Sequence, residues 1–215
     1  MTKGTANRNF QRILAVASGQ QGLFTASQAT QAGYSNQSIH YQVAAGNWIR
    51  VNRGIFQLVG FSPQPWPEIF QAALWAQNRQ GVQMAVVSFQ SALVVHGMLK
   101  TTPNVVFMNK SNGFKRRGAL PENIVLYEDE IPEKDGGFFD GILVTTPTRT
   151  LLDVFNAGLF SPQKNAELIR NGLWNRRLDK VDIRRMNNWH SKLLLSSLEC
   201  KNFRHVERIC GLDEL

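Results

Sequence analysis

Four side chains within six residues, Asn36, Gln37, His40 and Tyr41, carry hydrogen-bonding groups suited to the edges of nucleic-acid bases. Asn and Gln amides can bond adenine at two points in the major groove, and His and Tyr can reach bases or phosphates. Arg50 and Arg53 follow, with guanidinium groups suited to backbone phosphates or a minor groove. A second basic cluster, Lys110, Lys115, Arg116 and Arg117 with Asn112 and Gly113 between, reads as a loop after a strand. It either extends a polyanion-binding surface, meets an acidic partner, or is solvated.

Catalytic chemistry has few candidates. Glu128-Asp129-Glu130, with Glu133, Asp135 and Asp140, is the only carboxylate-rich stretch. Clustered carboxylates can bind Mg²⁺, which a nuclease would need. Ile131-Pro132 and Gly136-Gly137 instead make it read as a turn, so a solvated acidic loop is favoured. His96 ends an apolar helix and reads as a structural histidine. Cys200, His205 and Cys210 lack metal-ligand spacing. No GxxxxGK[ST], GxGxxG or GxSxG motif occurs, and no Gly-Ser near paired aspartates of the nucleotidyltransferase kind. The chain is therefore expected not to be an enzyme and to use no metal or cofactor.

The elements that must position these residues follow from periodicity and punctuation. Asn7 to Ala17 predicts a helix, with Phe10, Ile13, Leu14 and Ala17 on its apolar face. Thr25-Ala26-Ser27-Gln28 fits a capping box that opens a short helix to about Ala32, stopped by Gly33. Ser35 caps a third helix through Ala45, whose inward pair is Ile39 and Val43. Trp48 to Asn52 and Gly54 to Val59 are β-prone runs joined around Asn52-Arg53-Gly54, a hairpin signal. Helix, helix, tight turn, helix, hairpin is the winged helix-turn-helix plan.

Gly60 to Pro67 holds three prolines in eight residues, a stiff connector at which a domain boundary is placed. Beyond it the reading is mixed α and β. Helices are expected at Pro67 to Gln80, Phe89 to Val95 (capped by Ser88) and Thr148 to Phe155. Strands are expected at Met84 to Val87, Val105 to Met108, Ile124 to Tyr127 and Ile142 to Val144. A helical tail follows Pro162, with Ala166, Leu168, Ile169, Leu173 and Trp174, then Leu193, Leu194, Leu195 and Leu198, as its apolar positions. The expected fold class is α+β: a winged helix-turn-helix over residues 1–60, a mixed α/β domain over 61–160, and a helical C-terminal extension over 161–215.

Charge supports a polyanion partner. The 215 residues carry a net +8, and residues 1–60 hold five Lys and Arg with no Asp or Glu. Each cation near a phosphate gains from counterion release, and no carboxylate opposes it there. The acids concentrate in residues 121–160, which hold eight of them against Lys134 and Arg149. No apolar run reaches the roughly 18–20 residues of a membrane span. The first 30 residues lack a signal peptide's apolar core, so a cytoplasmic protein without membrane contact is expected.

Three patches, in order, resemble the AbiEi antitoxin family. The first runs from Gly22-Leu23-Phe24-Thr25 to Ala29, through Gly33-Tyr34-Ser35 and Gly46, to Arg50-Val51, Arg53-Gly54-Ile55-Phe56-Gln57-Leu58. The second is Ser88-Phe89-Gln90-Ser91-Ala92-Leu93 with His96-Gly97, and the third is Asp140-Gly141-Ile142 through Val144 to Asp153. The resemblance covers about residues 10–160. It implies an antitoxin of a type IV toxin–antitoxin pair, with a link to phage defence. Its winged domain would bind inverted repeats in double-stranded DNA and repress its own operon. Its second domain would counteract a nucleotidyltransferase toxin, with direct contact left open. In that domain Ser91, His96, Arg149 and Asp153 are candidate contacts, although Arg149 and Asp153, four apart, equally suit a helix-stabilising ion pair. The chain is expected to be a monomer or weak dimer. Other readings are a stand-alone winged-helix regulator, a protein-binding winged domain, and a metal-dependent nuclease on the acidic stretch.

Overall fold

The structure is a computed structural model describing residues 3–62, 65–101, 103–115, 119–179 and 181–186. Pro63 and Gln64 of the connector, Arg116 and Arg117, and the tail residues Leu193 to Leu195, Leu198, Cys200, His205 and Cys210 lie outside the described residues. Contacts divide the chain into one unit of residues 1–85, 112–116 and 140–143, and another of 86–111, 117–139 and 144–215. The break expected near residue 60 falls inside the first unit, because the helix after the connector groups with the N-terminal elements.

The first unit opens with helix α1 (Lys3–Ser18), which buries Ile13 and Ala17 and leaves Phe10 at its rim. Strand β1 (Leu23–Thr25) leads into α2 (Ala26–Gln31). The expected capping box forms: the Gln28 amide N–H donates to Thr25 Oγ1 at 3.2 Å, and the Thr25 N–H donates to Gln28 Oε1 at 2.8 Å. Helix α3 (Asn36–Ala44) is capped by Ser35, whose Oγ accepts the Ser38 N–H. Between these helices Gly33 sits at φ +103°, and Asn9 Nδ2 from α1 donates to its carbonyl at 3.0 Å. Strands β2 (Trp48–Asn52) and β3 (Ile55–Leu58) form the hairpin. The sheet order is β1-β3-β2, all antiparallel, with a bulge in β2 between Arg50 and Asn52.

Trp48 ties these elements together. Its ring meets Phe24 of β1 edge-on at 4.7 Å and Tyr34, just before α3, at 4.8 Å. Ala29, Ile39, Phe56 and Leu58 close the same core. The order of elements and this shared core are those of a winged helix, as expected.

Helix α4 (Pro67–Trp75) carries Pro67 in its first turn and packs on β1 and β3. It stops at Ala76, short of the expected Gln80. The reason is local: Gln77 bridges Gln83, and Asn78 Oδ1 accepts the N–H groups of Gln80 and Val82, a turn that competes with helix. Gln83 is buried and uses its amide like a stretch of backbone. Its Nε2 donates to the carbonyls of Ala85 and Leu143, and its Oε1 accepts the Leu143 N–H at 2.8 Å.

A five-stranded sheet follows, built from β4 (Ala85–Val87), β5 (Val106–Lys110), β6 (Ile124–Tyr127), β7 (Gly136–Phe139) and β8 (Ile142–Thr145). Its spatial order is β6-β5-β4-β8-β7, with β4 parallel to β8 and β5 parallel to β6. Helices α5 (Phe89–Val95), α6 (Pro147–Asn156) and α7 (Pro162–Trp174) bury Leu93, Leu151, Val154, Leu168 and Ile169 with Met98 in the second unit's core. Residues 181–186 are helical and add Ile183 and Met186.

Three expectations in this unit need correction. Gly136-Gly137 lies in edge strand β7, and the turn falls earlier, in the 3-10 segment Glu133–Asp135. Ser88 precedes α5, but its Oγ caps nothing and lies buried without a hydrogen-bond partner among the described residues. The chain enters that helix through Phe89 at φ +48°, which is not ordinary cap geometry. Trp174, counted with the apolar face of the tail, is 88% exposed.

Gly33→Ala would set a Cβ 2.7 Å from the Asn9 side chain at a left-handed φ, so a loss of about 1–3 kcal/mol is expected. Trp48→Ala should cost more, about 3–5 kcal/mol. Urea unfolding of both variants checks the order.

Candidate nucleic-acid interface

Helix α3 turns Ile39 into the core and leaves Asn36, Gln37, His40 and Tyr41 exposed. The four expected base-reading residues thus share the solvent side of one short helix, capped at its start by Ser35. Gly46, at φ +72°, ends it and sends the chain into the wing. Tyr41 has a second surrounding: with Phe10, Leu14, Tyr34, Trp48 and Val59 it walls an apolar groove of about 630 Å³.

The wing positions the two arginines differently. Arg50 pairs across the hairpin with Phe56, and its guanidinium carbon stands 6.0 Å from that ring's centre. Arg53 lies at the tip. Asn52 Oδ1 accepts the Arg53 N–H at 2.7 Å, and the Gly54 carbonyl accepts the Ala26 N–H at 2.8 Å, tying the tip to the start of α2. The tip opens on a cleft of about 240 Å³ that Arg53 shares with Thr25, Ser27, Asn78 and Arg79 and that no carboxylate lines. The sequence reading missed Arg79 because it placed that residue inside a longer helix. The signal available was the Asn78-Arg79-Gln80-Gly81 turn composition.

The second basic cluster is less open. Lys110 Nζ is 2.6 Å from Glu128 Oε1, and this bond holds the Glu128 carboxyl below the usual carboxylate range. Lys115 is exposed. The acidic stretch is dispersed in the same way, with Asp135 bonded to Arg149. Among the described residues no group of three or more His, Cys, Asp or Glu is arranged to hold a metal ion.

The four candidate contacts of the second unit sit inside it or close to its core. Ser91 is buried, and its Oγ accepts the Phe107 N–H. His96 is buried, and its Nε2 donates to the Thr145 carbonyl at 2.7 Å, which leaves Nδ1 unprotonated and without a partner among the described residues. Burial, with a smaller push from Arg177, lowers the His96 pKa, so the ring is neutral. Arg149 Nε donates to Asp153 Oδ1 at 2.7 Å, the expected pair, and its Nη1 reaches Asp135 Oδ2 at 3.3 Å. Asp153 is 11% exposed, and burial pushes its carboxyl above the usual range against the pull of Arg149.

This is an α+β chain whose N-terminal region has winged-helix architecture. Residues 11–59 match the family model described as "Transcriptional regulator, AbiEi antitoxin". No curated protein matches the sequence. The fold is similar to the crystal structure of the RV2827C protein from Mycobacterium tuberculosis, with a TM-score of 0.53, 12% identity, and coverage of 99% of this chain and 82% of that one. At that identity the likeness is one of fold. No helix among the described residues is long and apolar enough to cross a membrane.

Two outcomes are expected of the second unit. His96 titrates below its ordinary 6.5 in the folded chain, so the unfolded chain takes up the proton first. Its contribution is complete above that value and is lost as pH falls from about 6.5 toward the folded pKa. Urea unfolding between pH 8 and 5 should show this decline, flattened in His96→Gln. Arg149→Ala leaves two partly buried carboxylates unpaired and should cost about 3 kcal/mol, read by the same method.

Proposed function

We propose that the chain is a DNA-binding antitoxin that represses its own operon and counteracts a partner nucleotidyltransferase toxin. The observation that carries this reading is the exposed, acid-free face of α3 in the same small core as a wing that carries the exposed Arg50 and Arg53. The family match over residues 11–59 covers the same segment. In this reading residues 1–60 form the DNA-binding domain. Asn36, Gln37, His40 and Tyr41 enter the major groove, and Arg50, Arg53 and Arg79 hold phosphates. Lys115, exposed and grouped with the same unit, adds a further cation to the contact. Inverted repeats would recruit two copies, each on one half-site.

A stand-alone regulator is the second reading. The family match stops at residue 59, and two of the second unit's candidate contacts, Ser91 and His96, are buried. Expression beside each neighbouring gene separates the two. A neighbour that is toxic alone and harmless with this chain supports the antitoxin, and toxicity unrelieved by it leaves only the regulator.

Arg53→Ala and Arg79→Ala should weaken binding to operator and random duplex alike, each reducing the salt slope by about one. Asn36→Ala and Gln37→Ala should each cost roughly 1–3 kcal/mol on operator only. Equal losses on both duplexes for all four variants would remove α3 as the reading element. Fluorescence anisotropy at several salt concentrations gives both quantities.

A further inference from the structure

The second unit contains a cleft of about 520 Å³ at the start of α6, whose charged and hydroxyl lining includes Lys134, Asp135, Thr146, Arg149, Arg177, Asp182 and Arg185. Four cations and two carboxylates border it, so its lining carries an excess of positive charge. The carboxylates are already engaged. Asp135 accepts from Arg149. Asp182 accepts the Thr148 hydroxyl on Oδ1 and the Asp179 N–H on Oδ2, and its nearest cation, Arg185, stands 3.9 Å away.

Lys134 and Arg177 form no ion pair among the described residues. Arg177 is nonetheless held in place, its guanidinium carbon 4.1 Å from the centre of the Phe139 ring. That contact restrains the guanidinium before any ligand arrives, which lowers the entropy lost on binding. Thr146 Oγ1 accepts the Arg149 N–H, so its own proton remains to be donated. A restrained guanidinium, an ammonium and a hydroxyl around one cleft form a donor set for a tetrahedral oxyanion. The volume exceeds that of a lone phosphate and falls in the range of small-ligand pockets.

We propose that this cleft binds the phosphate group of a small phosphorylated ligand, with Arg177 and Lys134 as its principal contacts and Thr146 as a third donor. The site shares no residue with the interface on α3 and the wing, so it stands whether or not the DNA reading holds.

Calorimetric titration of the full chain with pyrophosphate, ADP and a random-sequence DNA duplex tests it. Saturable binding of pyrophosphate or ADP is expected, weakened about tenfold or more by Arg177→Ala or Lys134→Ala, the loss of one charge-assisted hydrogen bond. Arg177→Lys keeps the charge but loses the guanidinium fork, and should fall between. Duplex affinity is expected to be unchanged in these variants. If it falls with them while ADP does not bind, the phosphate recognised is that of a nucleic-acid backbone, and the small-ligand assignment is overturned. No saturable binding of any probe, or affinities equal in wild type and variants, removes the site altogether. Lys134 is exposed, so its variant keeps the test open should Arg177→Ala fail to fold.

Discussion

The packing of Trp48 against Phe24 and Tyr34 is the contact on which the N-terminal unit depends. The indole sits at the start of the wing, Phe24 belongs to the first strand, and Tyr34 stands at the entrance to α3. One side chain therefore joins α3 to the hairpin beside it. Short helices such as α2 and α3, of six and nine residues, are marginal by themselves and gain their stability from such packing. The outward residues need no further support. Asn36, Gln37, His40 and Tyr41 are presented because Ile39 has a core to enter.

That arrangement was largely legible in the sequence because its signals are local. A Thr25 cap answered by Gln28, a Ser35 cap, glycines at 33, 46 and 54, and the Ile39 and Val43 pair each act within a few residues. Each found its expected geometry. What escaped notice was nonlocal. Strand β1 is three residues long and exists only because β3, about thirty residues on, pairs with it. The Gly-Gly of β7 is held extended by its place at a sheet edge, against its own turn preference. Arg79 could be recognised as a neighbour of Arg53 only once α4 was seen to stop early.

The charged residues of the second unit show the same limit. Spacing alone joined Arg149 to Asp153, four residues apart on one helix, and the pair is present. No spacing joins Lys110 to Glu128 or Arg149 to Asp135, because adjacent strands and a 3-10 turn bring those together. Folding thus takes one residue of the basic cluster, Lys110, and two of the acidic stretch, Glu128 and Asp135, into pairs of opposite sign. Residues 1–60 hold no Asp or Glu, so no such pairing can arise among them.

Gln83 gives the sheet an unusual rung. Its amide occupies the position of a peptide group, meeting both the N–H and the carbonyl of Leu143. A peptide group is released only when a strand moves, but a side chain is released by rotation about its own χ angles. Protection of the Leu143 amide from solvent exchange is therefore set by a single rotamer equilibrium, and this point of the sheet can breathe on a timescale separate from that of the strands around it.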